Sequence, residues 1–202
     1  MKLYDMELSG NCYKVRLLCS LLAIPYESVP VDLVNGEHKS AAFLRKNPRG
    51  QVPVLDDDGM LVWDSSAILL YLARQYGDDY WLPLDIKTMT EIMQWLSVSQ
   101  NEILYGLARA RAAMKFNRPW DIEQCRAHGK LGLMALEQHL SGQPWLAGAH
   151  ETIADIACYP YVALAPEAGV PLADFPAIRQ WLKRVQSLPG YITMPGIVNL
   201  DD

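Results

Sequence analysis

The stretch Asn47-Pro48-Arg49-Gly50-Gln51-Val52-Pro53-Val54-Leu55 decides the fold, because its residues have conflicting backbone preferences. Val52, Val54 and Leu55 favour a β-strand, whereas Pro53 has no amide hydrogen to donate to a sheet and is confined to edges, bulges or strand starts. Either the strand is entered through a Val52-Pro53 turn, with a cis peptide bond available at about 0.5–1 kcal/mol, or it is an edge strand with a trans proline. The turn would leave the Val52 backbone able to pair with an extended, peptide-like ligand.

Length and composition are typical of a globular protein with two domains. The 202 residues are 50% hydrophobic and 20% charged, with a net charge of −5, so the basic surface of a nucleic-acid partner is missing. The cysteines lack the spacing of a metal site or a disulfide scaffold, which favours a reducing compartment and no bound metal. We see no signal peptide and no apolar run that approaches the roughly 18 residues of a membrane span. We therefore expect a cytoplasmic protein with no membrane partner.

The apolar pattern of residues 1–77 predicts the order β-α-β-α-β-β-α. Residues 2–7 and 27–33 alternate as strands, parallel to each other if the helix between them is an ordinary right-handed crossover. Residues 54–63 form two apolar runs joined by an acidic turn that closes on Gly59, which is typical of a hairpin. Helical segments are predicted at 13–22, 40–45 and 67–76. This order is that of an α/β thioredoxin-like domain.

The rest of the chain is predicted to be an all-α domain. Residues 78–86 are rich in turn formers and are interpreted as a linker, and residues 87–202 form the second domain. Its helices are predicted at 87–114, 121–140, 152–168 and 177–187, separated by prolines. Thr152-Ile153-Ala154-Asp155 is a capping box, in which the Thr152 side chain caps the helix and Asp155 reaches back to the Thr152 amide. We assign it a structural role only.

Three motifs carry a resemblance to a known family: the opening stretch, Asp64-Ser65-Ser66-Ala67-Ile68, and Thr152-Ile153-Ala154-Asp155-Ile156. In this order, on a thioredoxin-like domain followed by an all-α domain, they resemble the cytosolic glutathione S-transferases over nearly the whole chain. The resemblance implies the glutathione S-transferase fold, glutathione as co-substrate, and conjugation of its thiol to a small electrophile, as in detoxification. It also implies a two-fold homodimer.

The resemblance further implies how glutathione, the extended tripeptide γ-Glu-Cys-Gly, binds at its middle and its γ-glutamyl end. Val52, followed by a cis Pro53, pairs its backbone with the cysteinyl part, and Gln51 contacts the ligand backbone. Asp64 and Ser65 take the γ-glutamyl end, since a helix N-terminus with a hydroxyl binds carboxylates well. From the residues alone, either side chain could instead be a simple helix cap.

A cationic or polar side chain is needed for the glycyl carboxylate at the other end of the tripeptide. His38 is the first candidate, because residues 36–39 resemble the loop that supplies a histidine in theta-like members. Lys39 and Arg49 are weaker candidates, since isolated surface cations are usually only solvated.

The turn before the first helix should activate the thiol. Lowering a thiol pKa from about 8.5 to about 6.5 needs about 2.7 kcal/mol, which one hydroxyl and a helix N-terminus can together supply. Ser9 resembles the serine of the theta-type turn and ranks first. Asn11 matches the asparagine of nu-class bacterial members, for which disulfide-bond reductase activity is typical. Cys12 matches the beta-class cysteine that forms a mixed disulfide with glutathione, but a cysteine there is more often a small buried hydrophobe.

The second substrate is expected against the long helix of the all-α domain, which carries Asn101, Tyr105, Arg109 and Arg111. Tyr105 and Arg109 lie at i, i+4 spacing, and two arginines beside an apolar pocket indicate a polar or anionic electrophile, although helix arginines usually face solvent. Two other functions stay open: a glutathione-dependent disulfide reductase or peroxidase, and a non-catalytic binding protein of the same fold. A zeta-type isomerase fits less well, because its serine-serine-cysteine turn is missing.

Overall fold

A computed structural model of the protein describes residues 1–198. Its first part contains four strands, β1 (Lys2–Asp5), β2 (Glu27–Pro30), β3 (Val54–Asp57) and β4 (Met60–Trp63). They form one sheet in the order β2-β1-β3-β4. The β1–β2 pair is parallel, with Leu3 opposite Ser28, whereas β3 runs antiparallel to both β1 and β4. The predicted parallel crossover and the 54–63 hairpin are therefore confirmed, and the second strand ends three residues earlier than predicted.

Three helices accompany this sheet: α1 (Gly10–Leu21), the short α2 (Ala41–Leu44) and α3 (Ser65–Tyr76), with a 3₁₀ turn at Glu37–Lys39. The first part is thus a thioredoxin-like domain with a mixed four-stranded sheet. The Val52-Pro53 bond is cis, and β3 starts directly after it at Val54. The turn interpretation of the opening stretch is confirmed, and the trans edge strand is excluded.

The second part is helical. It contains α4 (Ile86–Val98), α5 (Arg109–Phe116), α6 (Ile122–Leu140), α7 (Ile153–Ala163) and α8 (Pro176–Gln186), with a 3₁₀ turn at Ala165–Ala168. The segment Ser99–Ala108 continues α4 into α5 as a π-helix, so the predicted helix over 87–114 is one continuous helical rod with an unpredicted change of winding. The helix predicted over 152–168 ends at Ala163. Of the proposed second domain 87–202, residues 199–202 lie outside the described residues.

Two glycines let α6 pack directly on the π-helical segment. A Cβ atom added to Gly106 would lie 2.3 Å from the Gly129 Cα, and one added to Gly129 would lie 2.8 Å from the Leu107 Cδ2. A side chain at position 106 would clash with the α6 backbone, whereas one at position 129 would first displace the Leu107 side chain. Backbone-to-backbone packing therefore fixes the position of the π-helical segment.

The two parts share one hydrophobic core. A single cluster of buried residues includes Leu3, Leu17 and Leu69 from the sheet domain and Ile103 and Trp181 from the helices. Lys14 in α1 is fully buried at this junction and donates to the Ser99 Oγ at 3.2 Å. The Trp81 carbonyl of the predicted linker accepts a 3.1 Å hydrogen bond from the Ile153 amide. The junction between the two parts is consequently held by packing and by hydrogen bonds.

The capping box at the start of α7 is present, as predicted. The Asp155 Oδ2 accepts from the Thr152 amide at 2.9 Å, and its Oδ1 accepts from the Leu146 amide at 3.1 Å and from the Trp181 Nε1 at 2.9 Å. Asp155 is fully buried, and burial raises the pKa of its carboxyl to about 6. It therefore joins three segments of the helical domain as well as capping one helix.

Candidate functional site

A cleft of about 470 Å³ opens between the β1–α1 turn and the helical domain. Its apolar walls come from both parts of the chain and include Met6, Leu8, Leu33, Val34, Ala112 and Phe116. The polar groups at its surface are those of Ser9, Arg111, Arg118 and Tyr161. An apolar cleft with a few convergent polar groups is the usual form of a small-molecule site.

Ser9 is the N-cap of α1, and its Oγ accepts a 3.3 Å hydrogen bond from the Cys12 amide. In this arrangement the serine oxygen acts as an acceptor, so the hydroxyl hydrogen can still be donated to another group. The amides of the first helical turn have no partner within the helix, and the helix dipole favours a negative charge at this end. The Ser9 hydroxyl and the α1 N-terminus therefore meet the requirements for stabilising a thiolate.

The two other turn residues have different environments. The Asn11 Oδ1 is buried without a hydrogen-bond partner among the described residues. Cys12 is fully buried, and burial raises the pKa of its thiol to about 12. A thiol with this pKa is almost entirely protonated at neutral pH, and only the thiolate is a nucleophile. The environment of Cys12 is that of a small core hydrophobe.

Tyr161 of α7 reaches the same turn from the helical domain. A Cβ added to Gly10 would lie 2.7 Å from the Tyr161 Cε1 and Cζ, so glycine at position 10 lets the ring lie against the start of α1. Burial raises the pKa of Tyr161 to about 12, while the Asn11 backbone and the Ser9 side chain act as hydrogen-bonding neighbours that lower it. A second hydroxyl therefore lies beside Ser9, although no local pattern in the sequence marks Tyr161.

The candidates for binding the glycyl carboxylate differ in whether their nitrogen atoms already have hydrogen-bond partners. The His38 Nδ1 is buried without a partner among residues 1–198, and burial, followed by the charges of Lys39 and Arg118, lowers the pKa of this imidazole. The Lys39 Nζ instead donates to the carbonyls of Arg49 and Gly50, at 3.2 and 2.9 Å. His38 has a free ring nitrogen, whereas Lys39 is bonded to the neighbouring turn.

The backbone of Val52 lies outside the sheet, since the β1–β3 pairing starts at Val54. The loop and turn hydrogen bonds of the described residues do not use its amide or carbonyl. Next to it, Asn47 is 2% exposed, donates from Nδ2 to the Gln51 carbonyl at 2.7 Å and accepts from the Arg49 amide at 3.0 Å. Asn47 was not a predicted site residue, but it fixes the turn that presents Gln51, Val52 and Pro53.

Asp64 and Ser65 lie at the N-terminus of α3. Asp64 has φ +56° and ψ 142°, a conformation that residues other than glycine rarely adopt and that costs about 1–3 kcal/mol. Its Oδ1 caps the Ser66 amide at 3.0 Å, and its Oδ2 accepts from the Arg49 Nη1 at 2.9 Å. The Ser65 Oγ is buried without a partner in the described part of the chain. Asp64 is thus a cap, and Ser65 has an unused hydroxyl.

Gln100 connects this end of the groove to the helical domain. Its Nε2 donates to the Asp64 Oδ1 at 2.8 Å and to the Ser66 Oγ at 2.7 Å. No local signal in the sequence marks Gln100, because the contact depends on how the two domains pack.

Of the two arginines that the long helix was expected to bring near the second substrate, Arg111 lines the cleft and Arg109 does not. Arg111 is 3% exposed and lines the cleft, whereas the lining residues do not include Tyr105 or Arg109. Arg109 stacks on the rings of Tyr105 and Trp120, at 4.1 and 5.3 Å from the ring centroids. The π-helical segment changes the winding before Arg109 and hence the face that follows. A second-substrate role for Tyr105 and Arg109 stays a prediction.

No group of three or more His, Cys, Asp or Glu side chains in residues 1–198 is arranged to hold a metal ion. Within the same residues, no helix combines the length and apolar character needed to cross a bilayer.

Comparisons with known proteins bear on the family and the fold of the chain. Residues 3–79 match the family description "Glutathione S-transferase, N-terminal domain", and residues 118–184 match "Glutathione S-transferase, C-terminal domain". The chain is 32% identical over 200 residues to "Glutathione S-transferase 1" of Manduca sexta, with 95% of this chain and 90% of the relative covered. It is 34% identical over 191 residues to "Maleylacetoacetate isomerase" of Pseudomonas aeruginosa, covering 89% of this chain and 88% of that protein.

A third relative and a solved structure complete the comparison. The chain is 30% identical over 192 residues to "Disulfide-bond oxidoreductase YfcG" of Escherichia coli, covering 89% of this chain and 87% of that protein. The crystal structure of a glutathione S-transferase from Pseudomonas fluorescens superposes with a TM-score of 0.90 at 38% identity, covering 96% of this chain and 98% of that one. The chain therefore belongs to the glutathione S-transferase family and has its fold, a thioredoxin-like domain followed by a helical domain.

Proposed function

We propose that the protein is a glutathione transferase, which activates the thiol of glutathione for attack on an electrophilic small molecule. The observation that carries this proposal is the location of the buried polar side-chain atoms that lack a hydrogen-bond partner. Among the described residues these are the Asn11 Oδ1, His38 Nδ1, Ser65 Oγ and Arg111 Nη2. Arg111 lines the cleft, Asn11 and Ser65 lie in the first turns of α1 and α3, and His38 lies in the 3₁₀ turn between β2 and α2. Such atoms cost about 1–3 kcal/mol each when unsatisfied, and a polar ligand would provide their partners.

Glutathione fits these groups in one direction. Its γ-glutamyl carboxylate lies at Ser65 and the α3 N-terminus, and its ammonium lies near the Asp64 carboxylate. The cysteinyl part pairs with the free backbone of Val52, beside Gln51 and cis Pro53. The glycyl carboxylate reaches His38. The tripeptide then pairs with the main chain at the entrance to β3, and main-chain pairing of this kind is a common mode of peptide recognition.

This placement puts the sulfur at the start of α1. The Ser9 hydroxyl donates to the thiolate while its oxygen still accepts from the Cys12 amide. Asn11 also carries an Nδ2 donor, but the Ser9 hydroxyl lies at the N-cap of α1, next to the amides of the first turn that lack a partner within the helix. Ser9 is therefore the residue we assign to thiolate stabilisation, and Cys12 is a packing residue.

A glutathione-dependent disulfide reductase is the second candidate. It is favoured by Asn11 in the turn and by the similarity to a protein named as a disulfide-bond oxidoreductase. Chemically it needs the same thiolate, but the sulfur attacks a disulfide instead of an electrophilic carbon. The two activities can therefore be separated only by their substrates.

The test combines binding with two matched substrates. We expect retention on glutathione-agarose, and turnover of 1-chloro-2,4-dinitrobenzene faster than that of 2-hydroxyethyl disulfide. Ser9→Ala should lower kcat/KM for conjugation about tenfold to hundredfold, as expected for a lost hydrogen bond to an anion. Ser187→Ala, at the exposed end of α8, is the matched control. If Ser9→Ala leaves both activities intact and Asn11→Ala abolishes them, the assignment is wrong.

We also propose that the protein is a cytoplasmic homodimer. An apolar groove between α3 and α4 leaves Leu70 44% and Met93 52% exposed, close to Gln100, and would suit a second copy of the chain. Leu70→Arg should convert the dimer into a monomer in sedimentation velocity at micromolar concentration. Leu131→Arg, on an exposed position of α6, should not. A wild-type protein that sediments as a monomer would refute the proposal.

A further inference from the structure

The cleft beside Ser9 has a strong charge asymmetry. Its described lining residues include two arginines, Arg111 and Arg118, and no carboxylate. Arg118 is exposed at the mouth, whereas Arg111 is 3% exposed. A buried guanidinium is costly unless its charge and its hydrogen-bond donors are satisfied.

The partners of Arg111 satisfy it only in part. Its Nε donates to the Glu167 Oε2 at 2.6 Å, and its Nη1 donates to the Leu8 carbonyl at 2.9 Å. Its Nη2 is buried and has no partner among residues 1–198. Glu167 is shared, because the Lys115 Nζ also binds its other carboxylate oxygen. Two positive charges therefore surround one negative charge, and one strong donor is left over.

We propose that Arg111 binds an anionic group, such as a carboxylate, on the second substrate, so that the preferred electrophiles are aromatic or apolar molecules that carry a negative charge. This inference rests on the proposed function, since it names the substrate class of the same cleft. The apolar walls provided by Leu33, Ala112 and Phe116 hold the body of the molecule. The Leu8 carbonyl bound by Arg111 immediately precedes Ser9, so the anionic group lies on the side of the cleft from which the sulfur is approached.

The geometry distinguishes Arg111 from its neighbour on the same helix. Arg109 is stacked between two aromatic rings outside the cleft lining. An anion that binds through Arg109 would lie away from Ser9. The proposal therefore assigns the charge preference to one of two arginines that are separated by a single residue.

The test uses two unreactive ligands of matched shape, 3,5-dinitrobenzoate and 1,3-dinitrobenzene, titrated by calorimetry at pH 7. S-methylglutathione is present throughout to occupy the carboxylate sites of the tripeptide. We expect the wild type to bind the benzoate about tenfold or more tightly than the neutral compound, as for a hydrogen bond to a charged group. Arg111→Gln should abolish this preference. Arg179→Gln, an exposed arginine on α8, should preserve it.

A second variant keeps the test decisive if Arg111→Gln does not fold. Glu167→Gln retains an acceptor for the Arg111 Nε but removes the negative charge, so the preference for the benzoate should increase. Equal affinity of the wild type for both ligands, an unchanged or weaker preference in Glu167→Gln, or loss of the preference in Arg109→Gln instead of Arg111→Gln would each overturn the proposal. Failure of S-methylglutathione to bind would instead count against the proposed function. The relative affinity of the two dinitro compounds would still test whether Arg111 binds an anion.

Discussion

Replacing Asp155 by alanine should destabilise the protein far more than replacing Thr152, its partner in the capping box, by alanine. In the structure the carboxylate accepts hydrogen bonds from the Thr152 amide, the Leu146 amide and the Trp181 Nε1. Each of these buried donors would lose its partner, at about 1–3 kcal/mol apiece, so the free energy of unfolding should fall by about 3 kcal/mol or more. Thr152→Ala removes the acceptor of the Ala154 amide and a long 3.4 Å donation to the Asp155 Oδ2, which together correspond to about 1 kcal/mol for a cap.

The assay is urea unfolding at pH 7 and at fixed protein concentration, with the stability difference taken from the midpoints at a common slope. The Michaelis constant for glutathione should be almost unchanged in both variants, because Asp155 does not face the groove. Equal stability losses for Asp155→Ala and Thr152→Ala would contradict the three-segment role. A large rise in that constant without a loss of stability would show that the site, and not the fold, depends on Asp155.

The same residue gives a pH dependence with a defined sign. Burial raises the Asp155 pKa from 3.8 to about 6, so the folded state binds the proton more tightly than the unfolded state. The resulting stabilisation is fully present below the unfolded pKa and is lost as the pH rises through about 6. The stability difference between wild type and Asp155→Ala should therefore be larger at pH 5 than at pH 8, by roughly 1 kcal/mol. A smaller difference at pH 5 than at pH 8 would show that folding does not raise the Asp155 pKa.

Three further predictions concern the site. Because all four cysteines are free and buried, and burial raises the thiol pKa of Cys12 and of Cys19 to about 12, the native protein should not react with a disulfide reagent at pH 8 until it is unfolded; rapid labelling of Cys12 would restore it as a redox candidate. Ser65→Ala should raise the Michaelis constant for glutathione about tenfold with little change in kcat, as for loss of a hydrogen bond to a charged carboxylate, and an unchanged constant would show that Ser65 only packs. Tyr161→Phe should shift the pH profile of kcat/KM to higher pH if its hydroxyl supports Ser9, and a profile identical to that of wild type would limit Tyr161 to packing on Gly10.

Local chemistry was enough to predict much of the fold. The hairpin at 54–63, the Val52-Pro53 turn and the capping box depend on residues close in sequence, and all three are present. The element order of the first domain followed from the same short-range patterns. These features are predictable because turn residues and prolines restrict the backbone wherever the rest of the chain lies.

Long-range contacts could not be predicted in this way. Gln100 contacts Asp64, and Tyr161 lies against Gly10. The residues of each pair are far apart in the chain, and no local pattern in a single sequence indicates that they meet. The arginine that faces the cleft was also uncertain, since a uniform 3.6-residue period does not anticipate the π-helical segment at Ser99–Ala108. The close contact between Gly106 and Gly129 places the α6 backbone directly against that segment. Propensity alone would not indicate it.

The hydrogen bond from Arg111 to the Leu8 carbonyl also limits how such proteins can be recombined. It joins a residue of the helical domain to the residue before Ser9, and Tyr161 covers the next position, Gly10. Consider a chimera in which the helical domain is replaced by that of a relative. The turn around Ser9 then comes from this protein, whereas the residues at positions 111 and 161 that contact the turn come from the relative. Substrate range and thiol activation should therefore change together in domain-exchange experiments, even though the serine itself is never replaced.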